Sequence, residues 1–418
     1  MKNLDWNDIM VIYNSNAATS VNSLEVANYY AAARGIPSGN IQGYDLGTDI
    51  TIGTTDAARD AFRAGALTDI QAFMAANSIT GIALSVGCPY KYLTDETVDN
   101  SDAGEVCKYY RSLSQIIANA EDILAGTSAE KGSGQINSDM VQTRGVYDVD
   151  NHTVQHTLVR NNAFVQVGTW TDITDNTYPI RFCGRLGQPY NTTLANEGVT
   201  TAKRCVDDAI WFEENGVMSE EPWLFGYSDR NIGYTMNQTN VYLAYKKLAP
   251  FVGQIHSYDG NHADAPNSKY AWKNHRWEQP EITIPDQVTW MFGGGPVIDV
   301  FGHIGVGFEN SVGSNYLPSV NIRRGGLMFE TTSSNPSKWC IEGGGCCAVC
   351  PDMEPCASGL PDPVLLVQSL ARGKTVAEAA LEAANTRSQL STTVIGDPFY
   401  TPFINVANTY IGSIVTSK

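Results

Sequence analysis

The sequence predicts an α/β protein built on a mostly parallel, doubly wound β-sheet. In residues 1–90, short apolar runs alternate with segments of helical periodicity, which is the pattern of consecutive β-α-β units. The same alternation returns at residue 177 and continues towards the end of the chain. Hydrophobic residues make up 43% of the 418 positions, which is enough for the core of one large α/β domain with insertions.

Residues 1–90 are predicted to form the first half of this domain, as three strands separated by two helices. The first helix begins at a Thr19/Ser20 N-cap and ends at the Gly-Ile-Pro of residues 35–37. The second helix is rich in alanine and has helical apolar spacing. The predicted strands are residues 9–13, 40–46 and 79–86, and the predicted helices are residues 20–34 and 55–77.

Residues 91–176 are interpreted as a loop-rich insertion over the strand ends, because the periodic pattern weakens there. Residues 94–105 are acidic and polar, and residues 126–134 are small. Residues 147–174 alternate between apolar and polar positions in a β manner. A long connection in a compact domain usually serves function, so we predict an insertion and not a second independent fold.

Residues 177–418 are predicted to form the second half of the α/β domain. No internal repeat is visible in the sequence of this half or the first. The predicted strands are residues 178–183, 223–227, 252–256, 297–301, 326–330 and 346–349, and the predicted helices are residues 196–215, 241–248, 363–372 and 376–384.

Composition excludes several classes of partner. The net charge of −17 argues against binding to nucleic acid and to anionic membrane surfaces. No run approaches the ~20 apolar residues of a transmembrane helix, and residues 1–8 are too short and polar for a signal peptide. Only 17% of residues are charged, and this neutral-polar composition favours an extracellular or particle-associated protein over a cytoplasmic one.

A histidine follows one of the predicted strands of the second half. His303 follows the apolar run at residues 297–301 after one glycine, Gly302, and the next predicted strand is residues 326–330. If these strands are parallel neighbours, their carboxyl ends lie at one edge of the sheet. A Cys-His catalytic pair requires that arrangement, because the thiolate and the imidazole must come within hydrogen-bond reach.

The position that would carry the nucleophile holds no cysteine. It is occupied by Thr332, Ser333 or Ser334, and Ser333 with His303 is the candidate catalytic pair. A serine hydroxyl has a far higher pKa than a thiol, so it would need a stronger base and an oxyanion hole. The alternative, which we favour, is that His303 is a structural histidine at a strand end and that the Ser/Thr run caps the next turn.

Five of the nine cysteines crowd into one window: Cys340, Cys346, Cys347, Cys350 and Cys356. Buried free thiols are the favoured interpretation, followed by one disulfide such as Cys350–Cys356 and then by a metal site. A zinc site would need a second C-x-x-C pair, and adjacent strand residues such as Cys346 and Cys347 point to opposite faces. A nucleophilic cysteine displaced to Cys340 or Cys346 is a further alternative.

Acidic loops offer a calcium alternative, although no segment follows an EF-hand register and solvated loops are favoured. The Gly-rich stretches at residues 293–296 and 343–345 fit neither dinucleotide-binding nor P-loop motifs, so no cofactor is predicted. The acidic residues concerned are Asp95, Glu96, Asp99, Asp102 and Glu105, with Asp148 and Asp150 as a second group.

Several segments resemble gingipain-type cysteine peptidases, which are caspase-like enzymes. Residues 180–186, followed by a helix ending at residues 209–213, resemble their strand, Gly-Arg, helix and Glu unit. The Gly-His-Ile-Gly of residues 302–305 resembles their catalytic His-Gly. The Gly-Asp-Pro-Phe-Tyr of residues 396–400 resembles the Gly-Asp-Pro that closes their domain.

The chain is more closely similar to an uncharacterised bacterial family distantly related to the gingipains. The shared features are an Asn-Ser-Asn strand end at residues 14–16, a helix at residues 29–37 and a closing motif at residues 396–403. Residues 353–355 and 377–380 also resemble that family. The resemblance implies a three-layer, caspase-like α/β sandwich, but it does not imply activity.

Two hypotheses for function follow from the sequence. The first is a non-catalytic scaffold or binding protein that self-associates or joins a larger assembly, such as a particle or surface structure. The second is a peptidase or other hydrolase that uses His303 with Ser333 or with a displaced cysteine. Aromatic-rich loops, at residues 223–234 and 272–290, are consistent with a peptide or glycan surface and equally with a core or an interface.

Overall fold

The fold was analysed in a computed structural model, in which the chain divides into two compact units. The first unit comprises Met1–Gly187, Asn191–Lys203 and Ala384–Thr393, and the second comprises Gln188–Tyr190, Arg204–Ala383 and Val394–Lys418. Parallel strands and helices make up both units, which confirms the predicted α/β class and the mostly parallel strand pairing. The structure describes residues 4–100, 105–124, 142–144, 156–160, 163–166, 181–187, 198–216, 222–227, 254–259, 296–299, 324–330, 345–351, 363–383 and 392–404.

Four parallel strands form the centre of the first unit, in the order β10-β4-β1-β2. The strands of this unit are β1 (Ile9–Asn14), β2 (Ile41–Tyr44), β3 (Thr51–Ile52), β4 (Gly81–Leu84), β5 (Lys91–Asn100), β6 (Glu105–Ser112), β7 (Gln142–Arg144), β8 (His156–Arg160), β9 (Ala163–Gln166) and β10 (Phe182–Arg185). Its helices are α1 (Ser20–Arg34), α2 (Asp56–Phe62), α3 (Thr68–Ala76), α4 (Leu113–Ala118), α5 (Ala120–Leu124) and the start of α6 (Val199–Asn215).

Local sequence explains the first strand and helix of this unit. Residues Ile9 to Ile12 of β1 are completely buried, as expected for a parallel strand that is covered on both faces. Helix α1 has the predicted bounds, and Gly35 ends it in a left-handed conformation with φ of 71°. The N–H of Gly35 donates to the carbonyl of Ala31, which satisfies one of the last acceptors of the helix.

The predicted helix at residues 55–77 is interrupted, so the prediction of one continuous helix is wrong. Thr55 caps α2 by accepting a hydrogen bond from the N–H of Ala58, and a π-helical turn at Arg63–Leu67 then separates α2 from α3. Gly65 has non-helical angles in this turn, with φ of −104° and ψ of −105°. Glycine is a weak helix former, so the chain deviates at this position.

A hydrophobic core packs the strands of the first unit against α2 to α5. Met10, Ile12 and Leu84 contribute from the strands, and Met74 and Ile116 contribute from the helices. Burial of each large apolar side chain stabilises the fold by roughly 1.5–3 kcal/mol. Packing in this core therefore holds β1 and β4 in place.

The acidic stretch of the predicted insertion forms a strand and not a loop. Asp95, Glu96 and Asp99 belong to β5, which pairs antiparallel with β6, and Asp99 lies opposite Val106. Cross-strand pairing has overridden the turn-like composition here, since β propensity depends strongly on context. The alternating stretch predicted at residues 147–174 contains β8 and β9, which pair with β7 in a small antiparallel sheet.

The second unit has the strand order β12-β11-β13-β14-β15-β16. Its strands are β11 (Pro222–Tyr227), β12 (Gln254–Asp259), β13 (Pro296–Asp299), β14 (Leu327–Glu330), β15 (Cys347–Pro351) and, from Val394 on, β16 (Thr392–Gly396), and its helices are the rest of α6, α7 (Pro363–Ala371) and α8 (Val376–Ala383). Strand β16 was not predicted. The predicted helix at residues 241–248 lies outside the described residues.

The two units share one order of their first four parallel strands. The order is β2-β1-β4-β10 in the first unit and β12-β11-β13-β14 in the second. In each unit the first strand has the second strand on one side and the third on the other, so the winding direction reverses there, as in doubly wound sheets. Within the described ranges, no helix has both the length and the apolar character needed to cross a bilayer.

Candidate functional site

The carboxyl ends of β13 and β14 lie side by side, which confirms the predicted pairing of these two strands. They are hydrogen-bonded parallel neighbours, with Pro296 opposite Leu327 and Asp299 opposite Glu330. Asp299 and Glu330 are also the last residues of their strands. The last residues of the two strands therefore lie at the same level, and this edge is where open α/β sheets carry their sites.

The two candidate catalytic residues follow these strand ends but lie outside the described residues. His303 comes four positions after Asp299, and Ser333 comes three positions after Glu330. The positions that the sequence singled out are therefore anchored by a described strand pair. The pairing of His303 with Ser333 stays a prediction.

The start of β14 is fixed by close packing within the second unit. Tyr400 donates a hydrogen bond from its hydroxyl to the carbonyl of Gly325, with an oxygen–oxygen distance of 2.9 Å. Its ring contacts Phe212 of α6 edge-on, with centroids 6.2 Å apart. Gly325 has φ of 84°, and an added Cβ would lie 2.1 Å from the Phe212 ring. A residue with a side chain would force this packing apart.

The Gly-Asp-Pro segment after β16 joins three elements of the second unit. The N–H of Asp397 donates to the carbonyl of Cys346 at 3.1 Å, and its buried carboxylate accepts from the N–H of Phe399 at 3.1 Å. The carbonyl of Pro398 accepts from the start of α8, and the N–H of Thr401 donates to Glu213 of α6 at 2.7 Å. The sequence indicated this segment only through resemblance, and its role in the structure is to hold β15, α6 and α8 together.

The cysteine window contains buried thiols. The thiol of Cys346 donates to the carbonyl of Gly326 and the thiol of Cys347 donates to that of Asp397, both with a sulfur–oxygen distance of 3.3 Å. The adjacent thiols thus serve different segments, as predicted for neighbouring strand residues. Cys350 is also buried, and Cys356 lies outside the described residues, so the Cys350–Cys356 disulfide stays a prediction.

Burial makes these thiols poor nucleophiles. Cys346, the described position for a displaced nucleophile, is completely buried, while Cys340 and Cys356 lie outside the described residues. Burial raises the pKa of Cys205 to about 12 from its ordinary 9.0, and nearby carboxylates of Asp208 and Asp397 add to the increase against the opposing charge of Arg204. The reactive thiolate of Cys205 is therefore suppressed at neutral pH.

The raised pKa of Cys205 predicts a loss of stability at alkaline pH. The folded state holds this proton more tightly than the unfolded state, so its contribution is complete below about pH 9 and is lost between pH 9 and 12. We expect the free energy of unfolding of the wild type to fall with pH above 9 more steeply than that of Cys205→Ala, by up to about 1.4 kcal/mol per pH unit. Urea titrations at pH 8, 9 and 10 measure both slopes.

The comparison of slopes removes other alkaline effects. Tyr44, whose pKa is raised to about 12 by burial and by the charge of Asp69, is present in both proteins. Equal slopes in the two proteins would show that the Cys205 thiol titrates at its ordinary pKa and is accessible to water.

The carboxyl edge of the first unit is held together by Asn14, which the sequence indicated only by resemblance, as part of the Asn-Ser-Asn strand end, and without a structural role. Its side-chain amide donates to the carbonyls of Gly47 and Gly87, each at 2.7 Å. Its side-chain oxygen accepts from the N–H of Leu46 and from that of Asn16, each at 3.1 Å. One buried side chain therefore joins the loops after β1, β2 and β4, and a fully satisfied buried amide of this kind rigidifies the edge.

A buried arginine ends β10 at the same edge of the first unit. The guanidinium of Arg185 lies 5.2 Å from the ring centroid of Tyr90, and the ammonium of Lys91 lies 5.5 Å from it. The Nε of Arg185 donates to the carbonyl of Gly187 at 3.1 Å. These contacts hold the turn after β10. Both cations interact with the electron-rich π system of the Tyr90 ring.

Metal binding and known relatives add no further assignment. Among the residues that the structure describes, no three or more His, Cys, Asp or Glu side chains group together as they would around a metal ion. The calcium alternative at Asp102, Asp148 and Asp150 concerns residues outside that part of the chain and stays a prediction. Comparison of the chain with protein-family models, with curated proteins and with solved structures gives no match.

Proposed function

We propose that this chain is a non-catalytic scaffold or binding protein on a three-layer, gingipain- or caspase-like sandwich. The observation that carries the proposal is the strand pair β13 and β14, whose second member is followed by Thr-Thr-Ser-Ser-Asn at residues 331–335. In a cysteine peptidase of the caspase type, this is the position of the nucleophile. The segment contains no sulfur, so the proposed site lacks the reactive atom of such an enzyme.

The condition of the other thiols supports the same proposal. The six cysteines with described side chains are all buried. Those at 346 and 347 donate to backbone carbonyls, which uses them as small packing groups. A displaced nucleophile would instead need an exposed thiol beside a base.

The composition favours a role in an assembly. Only 17% of residues are charged, and the polar surface is supplied largely by neutral side chains. A neutral-polar composition of this kind is common in secreted proteins and in assembled particles. We therefore propose self-association or incorporation into a larger particle or surface structure, with a peptide or glycan as the alternative partner.

A hydrolase that uses His303 and Ser333 is the second candidate. The register between β13 and β14 favours it, because Asp299 and Glu330 end their strands opposite each other. The following residues can therefore meet at the edge of the sheet. Catalysis by serine would further require an oxyanion hole near Ser333.

Covalent labelling separates the two candidates. We expect the native wild type to react with neither a fluorophosphonate nor an iodoacetamide probe at the candidate site, because the position after β14 lacks a thiol and carries no activated serine. The measurement is intact-protein mass after labelling, followed by peptide mapping. His303→Ala is the matched variant, since it removes the base and leaves every cysteine and serine in place.

Labelling of Ser333 in the wild type that disappears in His303→Ala would overturn the non-catalytic proposal. Equal and negligible labelling of the two proteins is the result that we expect. Labelling of Cys340 or Cys346 in a His303-dependent manner would establish a displaced nucleophile and would also contradict the proposal.

A further inference from the structure

A cleft of about 350 Å³ opens in the first unit beside the loop that follows β2. The loop after β2 forms one wall, and α2 with the π-helical turn forms the other. Its volume lies in the range of small-molecule sites. The lining residues are Asp45, Leu46, Gly47, Thr48, Asp49, Thr51, Ile52, Gly53, Thr54, Ala58, Ala61, Phe62 and Ala66.

The interior of the cleft is apolar. Leu46, Ile52 and Phe62 are buried and belong to the hydrophobic core of the first unit. Ala58 and Ala66 are small residues on the helical wall, so their positions leave space where larger side chains would fill the cleft. An apolar ligand segment would therefore be removed from water on entering.

The rim of the cleft is negatively charged and rich in hydroxyl groups. Asp45 and Asp49 supply two carboxylates, and three threonines supply hydroxyls. Hydrogen bonds from the Asn16 side chain and the Gly47 N–H lower the pKa of Asp45, so its carboxylate stays ionised at neutral pH. Among the described residues that line the cleft, none is Lys, Arg or His, so the local charge attracts cations and repels anions.

The walls of the cleft are held in place by contacts behind them. Arg59 is buried, donates to the carbonyl of Gly53 at 2.8 Å and pairs with Asp56, so its guanidinium is engaged by the wall that contains Gly53. Arg63 of the π-helical turn donates to the carbonyl of Ile123 at 2.9 Å. A pre-formed site of this kind avoids part of the ordering cost of binding.

We propose that this cleft binds a small organic cation, namely a primary ammonium or guanidinium group carried on a short apolar stem. The stem would occupy the apolar interior, and the charged group would meet the carboxylates and hydroxyls of the rim. A bare metal ion would leave the apolar walls unused, and an anion would meet two carboxylates. The site lies in the first unit and is independent of the function proposed for the strand ends of the second.

Ligand-observed NMR with 1-aminopentane tests the proposal, with 1-pentanol as the neutral probe of similar length. We expect saturable binding of the amine and weaker binding of the alcohol. Ala58→Leu fills the cleft and is expected to weaken amine binding by at least about tenfold. Asp49→Asn removes one rim charge and is expected to weaken it about threefold, as for an exposed ion pair.

Matched variants on the same helix control for changes in stability. Ala57→Leu and Asp60→Asn alter exposed positions of α2 that do not line the cleft, and they are expected to bind like the wild type. Equal binding of the amine and the alcohol, or undiminished binding by Ala58→Leu, would overturn the proposal. N-acetyl-lysine amide identifies the source of the cation: its binding indicates a basic peptide side chain, and its exclusion indicates a free amine.

Discussion

Replacement of Gly396 by alanine is expected to lower the free energy of unfolding by about 3 kcal/mol or more. Gly396 has φ of 105°, a backbone conformation that residues with a side chain rarely adopt. An added Cβ would also lie 2.1 Å from the carbonyl oxygen of Cys346 and 2.8 Å from the Cα of Cys347. Backbone strain and a clash with the main chain of β15 each cost about 1–3 kcal/mol, so their combination is severe.

Two other glycines separate the contributions of strain and contact. Gly35→Ala tests strain alone, since Gly35 has φ of 71° and no neighbour within 4 Å of an added Cβ; we expect a cost of about 1–2 kcal/mol. Gly39→Ala tests neither, because its surroundings are also open and its φ is not in the left-handed region; we expect a change within about 0.5 kcal/mol. Guanidinium unfolding followed by tryptophan fluorescence gives all three values.

The comparison of Gly396→Ala with Gly35→Ala also tests the role of the Gly-Asp-Pro segment. If Gly396→Ala cost no more than Gly35→Ala, β15 would be able to move away from the new methyl group. The account of the Gly-Asp-Pro segment as a tight junction would then be wrong.

Arg181→Met is expected to destabilise the first unit by about 3–5 kcal/mol. The Arg181 guanidinium makes two 2.6 Å hydrogen bonds to the carboxylate of Glu121 on α5, and its Nε donates to the carbonyl of Ile79 at 3.1 Å. The two side chains are only 1% and 9% exposed. Removal of the arginine leaves a carboxylate with little access to water and without its cation, which is the costly half of a broken buried pair.

A double variant distinguishes loss of the charge pair from loss of packing. Arg181→Met with Glu121→Leu removes both charges, so we expect it to be more stable than Arg181→Met alone. Lys203→Met is the exposed control. It breaks the 2.6 Å ion pair of Lys203 with Glu25, whose two side chains are 26% and 50% exposed respectively. We expect it to lower the free energy of unfolding by no more than about 1 kcal/mol. Additive costs in the double variant would contradict a coupled pair.

Local signals were sufficient for a large part of the fold. Helix α1 has the predicted bounds because its end is encoded by Gly35, which adopts the left-handed conformation that helix ends require. The parallel pairing of β13 with β14 was predicted from two apolar runs that are short enough to be strands. Such features depend on a few consecutive residues.

Features that depend on distant partners were missed or misassigned. Strand β10 runs from Phe182 to Arg185, beyond the predicted end at Cys183, because it pairs residue by residue with β4. The acidic segment of β5 is a strand because β6 pairs with it. No local pattern shows that Asn14 holds three loops, since its partners lie up to 73 positions away.

The candidate site was predictable only as a pair of strand ends. His303 and the serine run are recognisable because each follows an apolar strand, and the described register supports that inference. The Gly-Asp-Pro segment was indicated by resemblance alone. It contacts Cys346, Glu213 and the start of α8, and no local pattern predicts these contacts because they join distant parts of the chain. The absence of a cysteine after β14 is visible in the sequence, whereas the contacts of the Gly-Asp-Pro segment are visible only in three dimensions.

The most direct test of the central claim restores a thiol to the strand end. Alkylation of Ser333→Cys by iodoacetamide at pH 6.5, followed by intact-protein mass, reports whether His303 activates the introduced thiol. We expect faster alkylation than in the matched neighbours Thr332→Cys and Ser334→Cys, a return to the ordinary rate when His303→Ala is added, and an inert wild type. If the alkylation rate depends on His303 at none of the three positions, the claim that the site is retained and lacks only its nucleophile is contradicted.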